Sequence, residues 1–186
     1  VPVGVGAMAA LLGLDFEAAQ GVAHDAAQSQ ICDIANDNTP GQVVVSGNVE
    51  AVERAVELAK ERGARRPMLL PVSAPFHCAL MQPAADVMAE ALRASPPVAP
   101  LAPLIANVSA EAVSDPDEIR DLLVRQVTAM VRWRESVLYL RGRDVDNLVE
   151  VGAGKVLTTM LKRIDKEISG LAVNEPDHIE AFLKSV

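Results

Sequence analysis

The sequence predicts an α/β protein in two parts, and three observations carry that prediction. Over residues 1–72, small-apolar or β-branched runs and amphipathic segments follow each other in the order β-α-β-β-α-β. Over residues 73–186, short apolar runs alternate with helical patterns, as in an α/β layer architecture. The chain has 186 residues, half of them hydrophobic, which suffices for one good core or two small ones sharing an interface.

Val3 to Leu12 is small, apolar and glycine-containing, and reads as a strand. Asp15 can cap a helix whose inward stripe is Ala19, Val22, Ala23 and Ala26. Ile31 to Ala35 reads as a short strand, and Asn36-Asp37-Asn38-Thr39-Pro40-Gly41 as a dense turn. Gln42 to Ser46 is β-branched and closes at Gly47-Asn48. Val49 to Arg62 repeats as an amphipathic helix, with Val52, Ala55, Val56 and Ala59 inward and Glu50 spaced to pair with Arg54. Gly63 ends it, and Arg66 to Val72 is the next strand. This order is the ferredoxin-like arrangement, a four-stranded antiparallel sheet under two helices.

Val72-Ser73-Ala74-Pro75-Phe76-His77-Cys78 is a loop between that strand and a helix starting near Leu80, whose apolar positions are Leu80, Ala84, Val87, Met88 and Ala91. Pro96, Pro97, Pro100 and Pro103 mark a stiff connector with interleaved apolar residues; a PxxP recognition ligand is the less favoured reading. Leu104 to Val108 reads as a strand. Asp115-Pro116 opens a helix to about Ala129, and a second runs from about Val131 to Leu140. Leu148 to Val151 is a short buried strand, followed by a Gly152-Ala153-Gly154-Lys155 turn and a helix from Val156 to Ile164. Leu171 to Val173 and Asp177 to Lys184 close the chain as strand and helix. This half has too few strands to complete a layer by itself.

Composition excludes several functions. The net charge of −8 and 3% aromatic content give neither the basic footprint nor the stacking platform that non-specific nucleic-acid binding needs. No stretch is long and apolar enough to span a membrane, and no signal peptide is visible. Cys32 and Cys78 read as free thiols in a reducing compartment. The chain opens Val1-Pro2-Val3 without a methionine and enters a strand-like run at once, which reads as a cut end.

The candidate chemistry is sparse. His77 sits on a loop at a strand end, where a scaffold can aim a reactive side chain, although a lone loop histidine is more often structural. Its neighbour Cys78 is a small buried residue rather than a nucleophile, because adjacent side chains point apart. Gly152-x-Gly154-Lys155 lacks the spacing and the following Ser or Thr of a phosphate loop, so nucleotide binding is unlike this pattern, though the helix start could face an anion. The three histidines and two cysteines show no metal-ligand spacing. Lys60, Arg62, Arg65 and Arg66 form the densest basic cluster, read equally as a solvated helix end or as a docking patch for an acidic partner.

Taken together, Gly6-Ala7-Met8-Ala9-Ala10 with Leu12-Gly13-Leu14, Asn38 to Val44, Val72 to Met81, Val124-Arg125-Gln126, Glu150 to Leu157 and Asn174-Glu175-Pro176 resemble the malonyl-CoA:acyl carrier protein transacylases and the related acyltransferase domains of polyketide synthases. The matches run in order along the chain and are specific only in combination. The resemblance implies a hydrolase-like α/β domain with a ferredoxin-like subdomain inserted. Residues 1–72 would be that small subdomain, and 73–186 the C-terminal part of the hydrolase-like acyltransferase domain. It also implies ping-pong malonyl transfer from coenzyme A, through a serine ester, to the phosphopantetheine thiol of acyl carrier protein. No cofactor or metal is implied, and the setting is cytoplasmic.

By the same resemblance, His77 is general base and acid, and Gln126 supplies the main-chain carbonyl that orients the ring. Asn38 falls in a loop near the site. Phe76 holds the position where polyketide acyltransferases selecting malonyl carry phenylalanine and those selecting methylmalonyl carry serine, a rule that some bacterial transacylases break. Arg62, Arg65 and Arg66 would dock the acidic carrier protein.

The sequence contains no Gly-x-Ser-x-Gly. The nucleophilic serine, part of the oxyanion hole and the malonyl-binding arginine are therefore expected upstream. About three-fifths of a typical member is present, the missing N-terminal segment counts as a partner, and this chain alone is expected to be inactive. Ala153 replaces the usual proline of the Glu-Val-Gly-Pro-Gly motif. Two alternatives stay open: a non-catalytic carrier-protein-binding module, and a polyketide-type or other acyltransferase for a different acyl group.

Overall fold

The computed structural model describes residues 1–2 and 4–184; Val3, the start of the expected first strand, lies outside them. The chain divides into two compact units, Val1–Ser136 and Val137–Val186. The expected boundary between residues 72 and 73 falls inside the first.

The first unit opens with β1 (Gly6–Leu12), α1 (Phe16–Ala27), β2 (Cys32–Thr39), β3 (Gln42–Asn48), α2 (Val49–Glu61) and β4 (Arg66–Leu69). The strands form one sheet in the order β2-β3-β1-β4, with every pairing antiparallel. This is the ferredoxin-like topology predicted from the element order. Alternation along the strands separates two faces. Ala9, Leu11, Val43 and Val45 turn toward α1 and α2 and pack with Val22, Val52 and Val56. Alanines at 19, 23, 26, 51, 55 and 59 complete that core, their small side chains letting the helices lie close to the sheet. Each fully buried Val or Leu there contributes roughly 1.5–3 kcal/mol. Met8, Ala10, Ala35 and Val44 form a smaller cluster on the opposite face.

Asp15 caps α1 as expected, its side chain accepting from Ala18 N at 2.8 Å. The expected turn over 36–41 is narrower. Asn36 to Thr39 continue β2, and the reversal is confined to Pro40-Gly41. The polar stretch pairs with β3 and is also held from its other edge: Asp37 N donates to Val131 O at 3.0 Å, and Val131 N to Ala35 O at 2.8 Å. The Asp37 carboxylate, 1% exposed, takes a bidentate pair of hydrogen bonds from Arg134. Local turn propensity loses to these pairings. Arg54 also departs from expectation. Instead of pairing with Glu50 it donates to Ala26 O and Ala27 O at the end of α1, and to Gln30. The strand expected over Arg66–Val72 stops at Leu69.

After the 73–78 loop come a 3-10 turn, Ala79–Met81, and α3 (Gln82–Ala94). Its buried residue is Ala85, while Val87 and Met88 are exposed, so the inward face is rotated from the expected one. The proline-rich stretch has no regular structure. β5 (Leu104–Ala106) pairs with β6 (Glu111–Val113), a strand too short to show in the sequence pattern. α4 (Pro116–Gln126), capped by Asp115, ends three residues earlier than expected. α5 (Trp133–Arg141) spans the boundary between the units.

The second unit contains a βαβ element: β7 (Asn147–Val151), α6 (Val156–Ile164) and β8 (Ser169–Val173), the strands parallel, followed by α7 (Pro176–Leu183). β7 was expected to be buried, yet Val151 is 78% exposed and Val149 is exposed too. With only two strands, the described residues of this unit cannot cover both faces.

Candidate active site

His77 is placed by the far face of the ferredoxin-like sheet. The loop crosses there, and the Pro75 ring lies so close over Gly6 of β1 that a Cβ at Gly6 would overlap it. Cys78 is fully buried, with Sγ donating to Pro75 O at 3.1 Å. Ala79 N donates to the Asp33 carboxylate of β2 at 3.2 Å. Between these anchors His77 adopts φ = +60°, the left-handed region that a residue with a β-carbon rarely occupies.

The half-buried His77 ring faces the end of α4, with Nδ1 3.0 Å from Gln126 O. That carbonyl is available because the helix stops there. The Gln126 side chain turns back, its amide nitrogen donating to Ala129 O at 2.8 Å, and so closes the turn that leads to Val131. A main-chain carbonyl can only accept, so Nδ1 carries the proton and the Nε2 lone pair is left for chemistry. This contact brings together two residues 49 positions apart in sequence.

Phe76 is 41% exposed beside them. Asn38 is half-buried in β2, at the irregularity in pairing between Asp37 and Thr39, and not in a loop as expected; the Val131 pairing keeps this stretch extended. Arg62 pairs with Asp25, whose carboxyl is held below its ordinary value by that hydrogen bond. Arg65 and Arg66 show no ion pair among the described residues. All the candidate site residues lie in the first unit.

The competing motifs close down. Burial pushes the Cys78 thiol up and the Cys32 thiol up to about 12, so neither is an activated nucleophile. The start of α6 already holds an anion of the chain itself: the Glu150 carboxylate accepts from Leu157 N at 3.1 Å and from Thr158 N at 2.8 Å. Three features escaped sequence reasoning: the Asp33 contact, the Gln126 side-chain turn and the Glu150 cap. The Asp33 contact joins residues distant in sequence, and the Gln126 turn has no compositional signature. Only the Glu150 cap had a local signal, an acid just before a glycine turn into a helix.

Comparisons with known proteins align the chain with acyltransferases. No protein-family model matches it. The malonyl CoA-acyl carrier protein transacylase of Escherichia coli K12 is 46% identical over 184 residues, 99% of this chain and 60% of the relative. The crystal structure of the acyl-carrier-protein-S-malonyltransferase from Bartonella henselae is 51% identical with TM-score 0.95, covering all of this chain and 59% of that one. A malonyl-transacylase in complex with a type II PKS acyl-carrier protein is 42% identical with TM-score 0.96, covering all of this chain and 60% of that one. The chain is homologous to the C-terminal portion of the malonyl CoA-acyl carrier protein transacylases. It spans about 60% of the length of the curated relatives it matches.

Proposed function

We propose that the gene product containing this chain transfers malonyl from coenzyme A to the phosphopantetheine thiol of an acyl carrier protein, with His77 as general base and acid. The observation that carries this reading is the 3.0 Å contact between His77 Nδ1 and Gln126 O, which leaves Nε2 free to accept a proton. Homology to the transacylases supports it.

In this mechanism a serine outside the 186 residues attacks the malonyl thioester carbonyl, and Nε2 takes the serine proton as the C–O bond forms. The tetrahedral intermediate collapses with cleavage of the C–S bond, and Nε2 returns the proton to the coenzyme A thiolate. The carrier thiol then attacks the serine ester with the same proton traffic reversed. Gln126 O holds the ring in one tautomer throughout and steadies the imidazolium formed in each half-reaction. Phe76 limits the acyl pocket to an unbranched malonyl group, and Asn38 borders the site from β2.

Residues 1–72 serve as the inserted small subdomain and 73–186 as the hydrolase-like remainder. Arg62, Arg65 and Arg66 dock the acidic carrier protein, with the Arg62 charge partly offset by Asp25. The setting is cytoplasmic; among the described residues no helix is long and apolar enough to cross a membrane.

The test is His77→Ala in the whole gene product. It should lower malonyl transfer by roughly 10² or more without loss of fold. Near-normal transfer by a folded variant would sink the assignment.

A further inference from the structure

We infer that Asp33 is a positioning residue for His77, acting through the backbone of the loop that carries it. The inference rests on His77 being the general base. His77 holds a left-handed backbone, φ = +60°, so the loop stays in this shape only if it is fastened on both sides. Upstream the fastening is steric: Pro75 is buried against Gly6 of β1. Downstream it is polar. Ala79 N, two residues after the histidine, donates to Asp33 Oδ2 at 3.2 Å across 46 residues of sequence.

The side chain between the two points cannot take over that task. Cys78 is fully buried, but its thiol turns back to Pro75 O inside the loop. Nor does the Gln126 carbonyl anchor the backbone; it fixes the ring and leaves the main chain at Ala79 to Asp33. Asp33 itself is rigidly based, because it lies in β2 directly opposite Ser46 of β3. Among the described residues, Asp33 is the side chain outside the loop that holds the main chain of 75–79 by a hydrogen bond.

Without it, the 3-10 turn at Ala79–Met81 loses the acceptor for its first amide, and the histidine backbone is free to leave the left-handed region. The ring would then swing away from Gln126 O. A displacement of about 1 Å at a catalytic base suffices for a large loss of rate. The expected signature is therefore a fall in turnover with little change in the apparent affinity for malonyl-CoA.

The experiment is a double-mutant cycle on malonyl transfer by the whole gene product, using Asp33→Ala, Asp33→Asn, His77→Ala and the Asp33→Ala/His77→Ala pair. Asp33→Ala should lower kcat about 10-fold while KM for malonyl-CoA stays within about 2-fold. Asp33→Asn, which keeps an acceptor oxygen, should stay within about 3-fold of the parent in kcat. In the His77→Ala background, Asp33→Ala should cost nothing further. An equal fractional loss with and without His77, or an unchanged kcat in Asp33→Ala, would overturn the inference. If Asp33→Ala does not fold, Asp33→Glu decides: it keeps the charge but displaces the oxygen, so full kcat would overturn the inference and a ~10-fold loss would uphold it. A folded His77→Ala with normal transfer would instead overturn the reading of His77 as base, which separates the two failures.

Discussion

Replacing His77 by glycine and by alanine tests the backbone conformation at the site apart from the ring. Both variants remove the imidazole and its contact with Gln126 O, so that loss cancels when the two are compared. What differs is the cost of φ = +60°. A β-carbon in the left-handed region costs roughly 1–2 kcal/mol, which alanine incurs and glycine does not. Against this, glycine loses about 0.4–1 kcal/mol more backbone entropy on folding. The balance leaves His77→Gly more stable than His77→Ala by about 1 kcal/mol, the reverse of their usual order. With a urea m-value of about 2 kcal/mol/M, the midpoints should differ by roughly 0.5 M. The assay is equilibrium urea unfolding of both variants in the whole gene product, with equal m-values as the condition for comparison. An alanine variant as stable as the glycine variant, or more so, would mean that the loop is not held left-handed. Both should lose malonyl transfer by roughly 10² or more, because neither has a base.

Phe76→Ser should narrow the gap between malonyl and methylmalonyl substrates by no more than about 1–3 kcal/mol in kcat/KM, since a methyl-sized difference is at stake; an unchanged ratio would place the gate elsewhere. Replacing Arg65 and Arg66 by alanine should weaken use of the carrier protein and reduce its salt dependence, while turnover with free pantetheine barely changes. Equal losses with both acceptors would make the cluster structural. Glu150→Gln should alter acid stability. Amide hydrogen bonds from Thr158, then Leu157, hold the Glu150 carboxyl below its ordinary 4.5. A depressed folded value stabilises above the unfolded pKa, and that contribution disappears as pH falls through the lowered folded value. The protection of α6 amides against exchange, relative to their intrinsic rate at each pH, should therefore fall below about pH 4.5 in the parent, and the glutamine variant should already show the lower protection at neutral pH. A variant that tracks the parent across this range would remove Glu150 as the cap.

The periodicity of the first 72 residues was enough to determine the ferredoxin-like layer. Its element order, the Asp15 cap and the inward stripes Ala19-Val22-Ala23-Ala26 and Val52-Ala55-Val56-Ala59 all follow from local spacing, because each helix and strand there buries one face against its own neighbours. His77 stood out by residue type and by its loop between a strand and a helix. The Gln126 carbonyl was expected from the resemblance, and only the tertiary structure showed the left-handed backbone and the Asp33 anchor. The left-handed backbone, the Asp33 anchor and the Gln126 carbonyl join residues 46 and 49 positions apart, and no local pattern records such meetings. The same cause explains the misread stretches. Asn36 to Thr39 reads as a turn by composition, and it becomes strand because β3 pairs with one edge, Val131 with the other, and Arg134 neutralises the buried Asp37. Arg54 sits at the right spacing for Glu50, but the carbonyls at the end of α1 outcompete an exposed pair that is worth little in water. Apolar spacing in the helix after Leu80 and in β7 marks residues such as Val87, Met88 and Val151 that the described residues leave exposed. Sequence periodicity reports which face is apolar; what lies against that face is settled only by the chain segments that reach it in three dimensions.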